Sequence, residues 1–543
     1  MSQVLPAQGS GETGTQSTGR ARDESVGASQ VKRRWVVSIT SVAAGGLLLA
    51  VSFPPRPWWW LAPVAFALLG LALRGRRARA GAGYGFVFGL AFFLPHLFWI
   101  QDFLGAELGP VPWLALSTVM AAFVAAACAL LPLVGRLPAA PLWMALVFLA
   151  QEAVRSRFPF NGFPWGRVAF GQVDGPFLSL GSIGGAPLVG FAVLLTGFGL
   201  AALIAHVHEH GLRPSPAWCT PVSAALVPVI AALLVWPTVG TEPQDGTRTV
   251  AVVQGNAPNI GLGLLGQRST LRRHHLQASQ ELATRIRSGA LPRPDLVVWP
   301  ETATEITGPD QAIDNIVADL GAPTLIGALY QPPTGSSQNA VIAWDPHTGQ
   351  GQRYAKQELV PFAEYIPLRS IAALFTPFAD TTDLTAGTRP GVLDIADTTV
   401  GIAICYEAAY DHVSREATNQ GAQLLVVPTN NAWYGRGEMT YQQLAMSRLR
   451  AVEHGRAVIV AATSGVSAII RPDGSLAQIT DMFTTASLIE DVPLRHTTTL
   501  ADRLGPWTER GLTILAVVGI LAAAHSHQRP RHVGEISSDD ATS

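Results

Sequence analysis

Charge and cysteine are both scarce in this chain. Charged residues make up 14% of its 543 residues, whereas an average soluble protein has about 25%, and the shortage is concentrated before residue 240. The formal net charge of −1 gives no reason to expect a nucleic-acid partner. Cys128 and Cys219 lie in or beside apolar runs, so Cys405 has no disulfide partner in the polar half of the chain. A lone thiol of this kind is either buried or reactive.

Long apolar runs fill the first half of the chain. A helix needs about 20 apolar residues to cross a bilayer. The candidate spans are 35–52, 58–73, 84–100, 113–134, 140–154, 187–205 and 221–239, with an eighth at 508–524. They predict a transmembrane domain of about seven helices over 35–240 and a final transmembrane helix over 508–524. We expect the polar ends, 1–34 and 525–543, to be a disordered cytoplasmic leader and tail.

The charges between these runs predict an orientation. Basic residues follow the second, fourth and sixth runs: Arg74, Arg76, Arg77, Arg79, Arg136 and Arg213. The loop after the third run instead carries Asp102 and Glu107. Because basic residues concentrate in cytoplasmic loops, we expect the N-terminus in the cytoplasm and residues 241–507 outside the cell. One loop disagrees, since it places basic residues on the predicted outer side: Arg155, Arg157 and Arg167.

The segment 241–507 has the pattern of a soluble α/β domain. Short β-branched runs such as TVAVVQ, DLVVWP and AQLLVVP alternate with helical stretches at 269–288 and 438–454. This alternation predicts a sheet covered by helices, and RPDGS at 471–475 predicts a turn between two late strands. GLGLLG at 261–266 matches the dinucleotide pattern G-x-G-x-x-G. It neither ends a strand nor opens a helix, so we interpret it as a flexible loop near the bilayer.

Glu301, Lys356 and Cys405 each lie at or just after the end of an apolar strand-like run, in DLVVWPE, YAKQELVPFAEY and VGIAICYE. A thiol is a weak nucleophile until it ionises, at a pKa of about 8.5 in free cysteine. A nearby ammonium favours the thiolate and can hold an oxyanion, while a carboxylate can carry the proton to and from sulfur. Backbone amides from Tyr406 onward can add oxyanion donors. The three side chains predict amide or acyl chemistry through a thiol. Spacing alone leaves other roles open: packing for the cysteine, a solvated face for the lysine and a helix start for the glutamate.

Other ionisable residues give weaker signals. Glu152 and Arg155, near the end of the fifth run, are either a structural ion pair or part of the wall of a substrate cavity. The histidines lack partners at ligand spacing, so we expect no metal and no organic cofactor. We interpret His454 and Arg456 as packing and hydrogen-bonding residues rather than catalytic ones.

The motifs around the three residues resemble the apolipoprotein N-acyltransferase family, a membrane-bound branch of the nitrilase superfamily. The resemblance covers about residues 35–507, and it implies a bundle of about eight transmembrane helices and an extracytoplasmic nitrilase-like α-β-β-α sandwich in the bacterial plasma membrane. The motifs that carry it are WPE at 299–301, YAK followed by VPFAEYIP at 360–367, CYE at 405–407, NNAWYG at 430–435, the helix QQLAMSRLRAVEHGR and NGFPWG at 161–166.

The resemblance also implies roles for single residues. Glu301 matches the family's base, Lys356 its lysine and Cys405 its nucleophile. Further residues match supporting or substrate-binding positions: Glu364, Tyr406, Glu407 and Trp433. The family often has a tryptophan in the loop after VQGN, where this chain has APNIGLGLLG at 257–266. If that tryptophan helps to hold lipid in the family, this chain would hold lipid with glycine and leucine instead, or its substrate preference would differ from that of the family.

The implied reaction moves a fatty acyl chain from a membrane phospholipid, through a thioester on Cys405, to the N-terminal amine of a diacylglyceryl-cysteine apolipoprotein. We expect a monomer with the phospholipid as acyl donor and the apolipoprotein as acceptor. Two alternatives remain. A membrane-anchored nitrilase-like amidase would use the same residues with water as the second nucleophile, and an inactive scaffold would bind lipoproteins without reacting.

Overall fold

The structure is a computed structural model that describes residues 36–213, 215–264, 266–373 and 382–528. The predicted leader over 1–34, and the predicted tail from residue 529 onward, lie outside these ranges. Up to residue 238 the described residues form helices and no strand. These helices are α1 (Val36–Val51), α2 (Leu61–Leu73), α3 (Ala78–His96), α4 (Trp99–Leu108), α5 (Val111–Val134), α6 (Ala140–Arg155), α7 (Gly181–His210) and α8 (Cys219–Val235).

The helices lie where the apolar runs predicted them, but few are long enough to cross a bilayer alone. Four segments in the described part of the chain meet the length and composition of a span: Val111–Val134, Pro176–His210, Pro216–Thr238 and Trp507–His527. A fifth counts if α3 and α4 form one span across an 81° bend. α2 has 13 residues and α6 has 16, short of the ~20 that a hydrocarbon core requires. Length and composition therefore identify four or five spans rather than about eight.

α7 is interrupted near its start because it passes a helix of the polar half. Gly184 and Gly185 have non-helical backbone angles, and Gly185 has a φ of +66°. A Cβ at Gly185 would lie 2.5 Å from Oε1 of Glu453. Glycine meets both conditions, since it adopts positive φ at no steric cost and leaves room for the carboxylate.

Strands begin at residue 247. They are β1 (Thr247–Gln254), β2 (Leu296–Val298), β3 (Thr304–Ile306), β4 (Thr324–Tyr330), β5 (Gln338–Asp345), β6 (Gly349–Ala355), β7 (Val392–Ile395), β8 (Thr398–Ile402), β9 (Leu424–Thr429), β10 (Val458–Ala462), β11 (Ala468–Ile470), β12 (Leu476–Ile479) and β13 (Ala486–Pro493). The helices of this half are α9 (Arg268–Arg287), α10 (Gln311–Leu320), α11 (Arg369–Ala372), α12 (Asp411–Asn419), α13 (Met439–His454), α14 (Leu500–Leu504) and α15 (Trp507–Gln528). The helices predicted at 269–288 and 438–454 are thus confirmed within one residue at each end.

The strands form two sheets with parallel centres. The first has seven strands in the order β13-β1-β2-β4-β5-β6, with β3 beside β4, and the second has six in the order β12-β11-β10-β9-β8-β7. In the first, β1, β2 and β4 run parallel, and in the second β8, β9 and β10 do. The turn predicted at 471–475 joins β11 to β12, which pair antiparallel. Because the carboxyl ends of parallel strands share an edge, residues that follow β2, β8 and β9 can meet.

The sheets pack face to face between two helical layers. Val252 and Val298 of the first sheet share a buried core with Ile402, Val426 and Ile459 of the second. Fully burying one such side chain contributes about 1.5–3 kcal/mol. α9 and α10 cover the outer face of the first sheet, while α12 and α13 cover the second and share one core with α1–α7. The predicted α-β-β-α order of layers is therefore present in the described residues.

Three arginines lie on the predicted outer side, against the positive-inside pattern: Arg155, Arg157 and Arg167. Each of them has a structural partner. Arg155 donates from Nη1 to the carbonyls of Phe163 (2.9 Å) and Trp165 (2.6 Å) and lies 3.6 Å from the buried Glu152. Arg157 and Arg167 both pair with Glu509 at the start of α15. Of the two interpretations of Glu152 and Arg155, the structural pair agrees better with these contacts. Because specific partners hold these arginines, their positions are not evidence for the side of the membrane on which the loop lies.

A buried ion network joins the two halves of the chain. Asp411, at the start of α12, accepts from Arg167 (2.8 Å) and Arg450 (2.7 Å), and Arg450 also pairs with Glu453. Burial alone would raise the pKa of Asp411, but the two guanidinium groups outweigh burial and hold it well below its usual value. The ionised form of Asp411 therefore stabilises the fold above the unfolded pKa of about 3.9.

Replacement of Asp411 by asparagine should lower the melting temperature of the purified protein at pH 7. Removing one partner from a buried charge network costs about 3–5 kcal/mol, because the remaining charges are left buried and uncompensated. The folded-state pKa is depressed, so the difference from wild type should shrink only below about pH 4. Glu416→Gln, an exposed carboxylate on the same helix, is the control. Equal melting of D411N and wild type at pH 7 would contradict the assigned role.

Candidate active site

Glu301, Lys356 and Cys405 meet at the carboxyl edge of the two sheets. Glu301 follows β2, Lys356 follows β6 and Cys405 follows β8. Nζ of Lys356 lies 3.1 Å from Oε1 of Glu301, and the charges of both residues act on the Cys405 thiol. All three side chains are buried. Glu301, Lys356 and Cys405, from distant parts of the sequence, thus form one cluster, the trio.

The carboxylate of Glu301 is held on both oxygens. Oε1 accepts from Lys356 and from Nδ2 of Asn339, the latter at 2.6 Å. Oε2 accepts from the backbone amide of Asn430 at 2.9 Å. With both oxygens engaged, the carboxylate is fixed in direction, which is what a group that transfers a proton to or from a positioned thiol requires.

Lys356 lies between two carboxylates. Its Nζ is 3.1 Å from Glu301 and 3.0 Å from Oε2 of Glu364, and Asn339 donates to Glu364 as well, at 2.7 Å. Burial opposes the ammonium form, but the carboxylates of Glu301 and Glu364 outweigh burial and hold the pKa of Lys356 well above its usual value. The lysine is therefore a permanent cation, and Glu364 lies beside the trio as predicted.

The backbone at Cys405 is strained. Its φ of +53° lies in the left-handed region, a conformation that costs a non-glycine residue about 1–3 kcal/mol. Glu407 holds the turn in place, because its carboxylate accepts from the amides of Ile404 (2.7 Å), Gln357 (2.7 Å) and Glu358 (3.1 Å). It also accepts from the hydroxyl of Tyr354 at 2.8 Å. Glu407 thus ties the turn that carries the thiol to the segment that follows Lys356.

The thiol is protonated in the resting site. Burial, and then the negative charge of Glu301, raise the pKa of Cys405 to about 12, although Lys356 acts in the opposite direction. The sequence predicted that the ammonium would favour the thiolate, and its effect does have that sign, but it does not prevail. Sγ accepts from the hydroxyl of Thr429 (3.2 Å) and from Nε2 of Gln443 (3.4 Å). Attack by sulfur therefore requires that the proton leave as the new bond forms.

Two sequence profiles match this chain. Residues 45–199 match the apolipoprotein N-acyltransferase N-terminal domain, and residues 249–502 match the carbon-nitrogen hydrolase domain. The apolipoprotein N-acyltransferase of Mycolicibacterium smegmatis is 40% identical over 513 residues, which cover 89% of this chain and 85% of that protein. The chain belongs to the apolipoprotein N-acyltransferase family.

Other similarities are more distant. The apolipoprotein N-acyltransferase of Pseudomonas syringae pv. tomato is 30% identical over 489 residues, covering 85% of this chain and 92% of that protein. Among solved structures, an amidase from Nesterenkonia sp. is similar at 19% identity and a TM-score of 0.35, covering 50% of this chain and 99% of the amidase.

The NGFPWG loop lies on the turn that carries Cys405. The ring of Tyr406 stacks on Phe163 and Trp165, with centroid distances of 6.4 and 6.3 Å, and its hydroxyl donates to the carbonyl of Gly162 at 3.3 Å. Nε1 of Trp165 donates to Gln442 of α13 at 2.6 Å. The loop belongs to the helical half of the chain before residue 240, called the membrane half. It therefore packs against the residue that follows Cys405.

Trp433 belongs to an aromatic cluster that packs against α4. It lies in the turn Asn431–Tyr434, and its ring meets Phe103 of α4 with centroids 6.1 Å apart. Tyr434 contacts Phe103 (5.4 Å) and Trp99 (4.9 Å). Burial, and then the thiol of Cys405, raise the pKa of Tyr434 well above its usual value. A neutral phenol thus lies close to the thiol, at a position that the sequence did not single out.

The glycine-rich loop approaches the same helix. The turn Gly261–Leu264 follows β1 and precedes α9, so it does not join a strand directly to a helix, in agreement with the rejection of a dinucleotide site. A Cβ added at Gly261 would lie 2.9 Å from the carbonyl oxygen of Asp102 in α4. Glycine at this position lets the loop lie close to the α4 backbone near Phe103.

Several polar residues of the site were not predicted: Asn339, Thr429, Asn430, Gln443 and Tyr434. Asn430 and Tyr434 lie inside the NNAWYG motif and Gln443 lies inside QQLAMSRLRAVEHGR, so these two motifs were the available signals. His454 and Arg456, by contrast, agree with their predicted packing role. Nδ1 of His454 lies 2.6 Å from Oδ1 of Asp502, both fully buried, and Arg456 donates to the carbonyls of Ala422 and Thr497.

The raised pKa of Cys405 can be tested by alkylation. The rate of reaction of Cys405 with iodoacetamide should rise about tenfold per pH unit between pH 7 and 9, because only the thiolate reacts and it is a minor species far below the pKa. Glu301→Gln removes a negative charge that raises this pKa, so alkylation should become faster while acyl transfer is lost. Peptide mass spectrometry would measure the rate, with the exposed Cys219 as internal control. A pH-independent rate, or slower alkylation in E301Q, would contradict the electrostatic account.

Proposed function

We propose that this protein transfers a fatty acyl chain from a membrane phospholipid to the N-terminal amine of a diacylglyceryl-cysteine apolipoprotein. The observation that carries the proposal is the 40% identity to an apolipoprotein N-acyltransferase over 89% of the chain. The buried trio supports it, because Lys356 and Glu301 are in contact beside the thiol, which an inactive scaffold would not need. The match of residues 45–199 to the N-terminal domain of such enzymes does not favour a membrane-anchored amidase.

In the first half-reaction Glu301 takes the proton from Cys405 as sulfur attacks the ester carbonyl of the phospholipid. A carbon–sulfur bond forms, and the resulting oxyanion is stabilised by the ammonium of Lys356 and by backbone amides from Tyr406 onward. The intermediate collapses when the carbon–oxygen bond to glycerol breaks. Glu301 returns its proton to that oxygen, lysophospholipid leaves, and a thioester remains on Cys405.

In the second half-reaction the neutral α-amine of the apolipoprotein attacks the thioester carbon. Glu301 accepts a proton from the attacking nitrogen, the carbon–sulfur bond breaks, and the proton passes to the departing sulfur. The products are an amide and the free Cys405 thiol, so the site is restored with atoms and charge balanced. Two substrates that use one site in turn give ping-pong kinetics. No step needs a metal or organic cofactor.

The supporting residues have separable roles in this mechanism. Glu364 keeps Lys356 charged and in place, and Glu407 positions the turn that carries the thiol. Tyr406 couples that turn to the loop of the membrane half. Trp433, with Phe103 of α4, forms an apolar wall suited to a lipid chain. We expect one chain to act as a monomer, because every residue of the trio comes from the same chain.

We also propose a membrane domain over 35–240 with a final span over 508–524, and a catalytic domain over 241–507 outside the bacterial plasma membrane. The eight crossings are α1, α2, the α3–α4 pair, α5, α6, α7, α8 and α15. The short helices α1, α2 and α6 are included because they share one buried core with α5 and α7. The basic residues from Arg74 to Arg79 and Arg136 support a cytoplasmic location for those helix ends.

Replacement of Cys405 by alanine should abolish the acyl adduct that phospholipid leaves on the intact protein. Lys356→Met should slow adduct formation by about 10²–10³-fold, the usual effect of losing one oxyanion partner. Mass spectrometry of the intact protein, with and without hydroxylamine, would measure the thioester. Cys219→Ser is the matched control and should form the adduct normally. An adduct that persists in C405A would place the nucleophile elsewhere.

In cells, the N-terminal peptides of lipoproteins should lose N-acylation when the gene for this protein is deleted.

The orientation has its own test. A periplasmic-type reporter such as alkaline phosphatase, which is active only outside the cytoplasm, should be active when fused at about residue 245. The same reporter fused after Arg77 should be inactive, because the basic loop is expected to stay inside. Reversed activities would overturn the arrangement without affecting the chemistry of the trio.

A further inference from the structure

A cavity lies away from the trio, at the opposite end of the helical bundle. Its volume is about 460 Å³, and it is lined by the end of α2, the end of α5, the start of α6, the end of α7 and the start of α8. The other end of α7 contacts the catalytic half, where Gly181 packs on Leu449 of α13. The cavity and the catalytic site therefore lie at opposite ends of the same helices.

The rim of this cavity is cationic. Arg74, Arg76 and Arg136 line it. Arg74 pairs with Glu209 at 3.0 Å, and that ion pair is half-exposed. Arg76 and Arg136 have no carboxylate partner within the described ranges of the chain. Two guanidinium charges at the mouth are thus left without an acidic counterpart.

The two arginines are nevertheless held in place. Arg76 donates to the hydroxyl of Ser38 (3.0 Å) and to the carbonyl of Ala72 (3.3 Å). Nη1 of Arg136 lies 3.2 Å from Nδ1 of His527 in α15. These contacts fix the side chains and supply no negative charge, which is the arrangement expected of groups that wait for an anion.

His206 supplies a further polar atom. It lines the cavity, and its Nε2 is buried with no hydrogen-bond partner among the residues that the structure describes. The ring is fixed by stacking on His210, with centroids 4.7 Å apart, and by an edge contact with Trp218 at 5.1 Å. Leaving a buried polar nitrogen unsatisfied costs about 1–3 kcal/mol, which a hydrogen-bonding ligand would relieve.

The walls below the rim are apolar. Leu73, Leu131, Met144, Phe198 and Ala201 line them. A free phosphate ion would gain nothing from these side chains, whereas a phosphodiester linked to glycerol and acyl chains would contact the arginines and the apolar wall together. Basic pockets between transmembrane helices on the cytoplasmic side are known to bind anionic lipid headgroups.

We propose that this cavity binds the headgroup phosphate of an anionic phospholipid from the leaflet opposite the catalytic domain. Arg76 and Arg136 bind the phosphate oxygens, His206 donates to the ligand from Nε2, and the apolar wall receives the glycerol and the first part of the acyl chains. The lipid is a structural ligand rather than an acyl donor, because Cys405 lies at the other end of the bundle.

Binding can be measured on the purified, delipidated full-length protein in detergent. Native mass spectrometry and thermal melting would follow titration with phosphatidylglycerol, phosphatidylcholine of the same chains, or glycerol 3-phosphate. Phosphatidylglycerol should form a stoichiometric adduct and raise the melting temperature, and the other two should do neither at equal concentration. Equal effects of phosphatidylcholine, or full competition by glycerol 3-phosphate, would overturn the proposal in favour of a nonspecific lipid or a soluble phosphate.

The double variant Arg76→Gln, Arg136→Gln should weaken phosphatidylglycerol binding by about thirtyfold, at ~1 kcal/mol for each basic residue removed. The control is Arg77→Gln, Arg79→Gln, two exposed arginines that follow Arg76 at the start of α3, which should bind like wild type. Arg76→Lys, Arg136→Lys keeps both charges and should retain most of the affinity, which separates loss of charge from misfolding. Thioester formation on Cys405 should be unchanged in all variants. Equal binding by the double glutamine variant and its control would refute the site.

Discussion

Burial of α13 on both sides is the constraint on which the rest of the structure depends. Its residues are almost all buried, because one face covers the second sheet and the other packs into the membrane half. Neighbouring residues on it face different partners. Gln442 donates to the carbonyl of His96 in α3 (3.0 Å) and accepts from Trp165, whereas Gln443 contacts Sγ of Cys405 (3.4 Å) and accepts from Thr429. A single rigid helix therefore fixes the nucleophile relative to the membrane helices.

The surroundings of Cys405 keep its thiol protonated. Lys356 is shared by two carboxylates, so much of its charge is neutralised before it can act on the thiol. The net effect of burial and charge is a protonated Cys405. In the proposed mechanism, the proton transfer from Cys405 to Glu301 is therefore part of the chemical step. The strain at Cys405 and the bonds from Glu407 serve the same end, since they fix the direction of the sulfur without activating it.

Much of this could be predicted from the sequence, for identifiable reasons. Glu301 and Cys405 follow parallel strands, and Lys356 follows β6, so they carry a signal that depends only on local pattern. Asn339 carries no such signal, because it lies within β5 and reaches Glu301 only through the pairing of β5 with β6, which brings its carbonyl to the amide of Lys356 (2.8 Å). Gln443 lies in the motif QQLAMSRLRAVEHGR, but the motif does not show that its side chain reaches Cys405. Pairing and packing, rather than composition, place these residues.

In the helical half of the chain, before residue 240, the sequence predicted the helices but not the number of spans. Apolar runs placed the helices well, because hydrophobicity is local, but they did not give the number of crossings. α2 and α6 are shorter than a bilayer, and α3 turns by 81° into α4. None of this is visible in hydropathy, since a bend leaves the run continuous. The disagreeing arginines around Arg155 were likewise explained only by their partners across the chain.

The bend between α3 and α4 has a mechanical consequence. Through Trp99 and Phe103, α4 contacts the aromatic turn beside the nucleophile, yet it is covalently continuous with α3 on one side and close to α5 on the other. A helix that does not match the thickness of the surrounding hydrocarbon tilts or shifts to compensate. Because α4 is continuous with α3, any shift of α3 would also move Trp99 and Phe103 against the turn Asn431–Tyr434. The direction of α3 and the position of that aromatic turn are therefore linked.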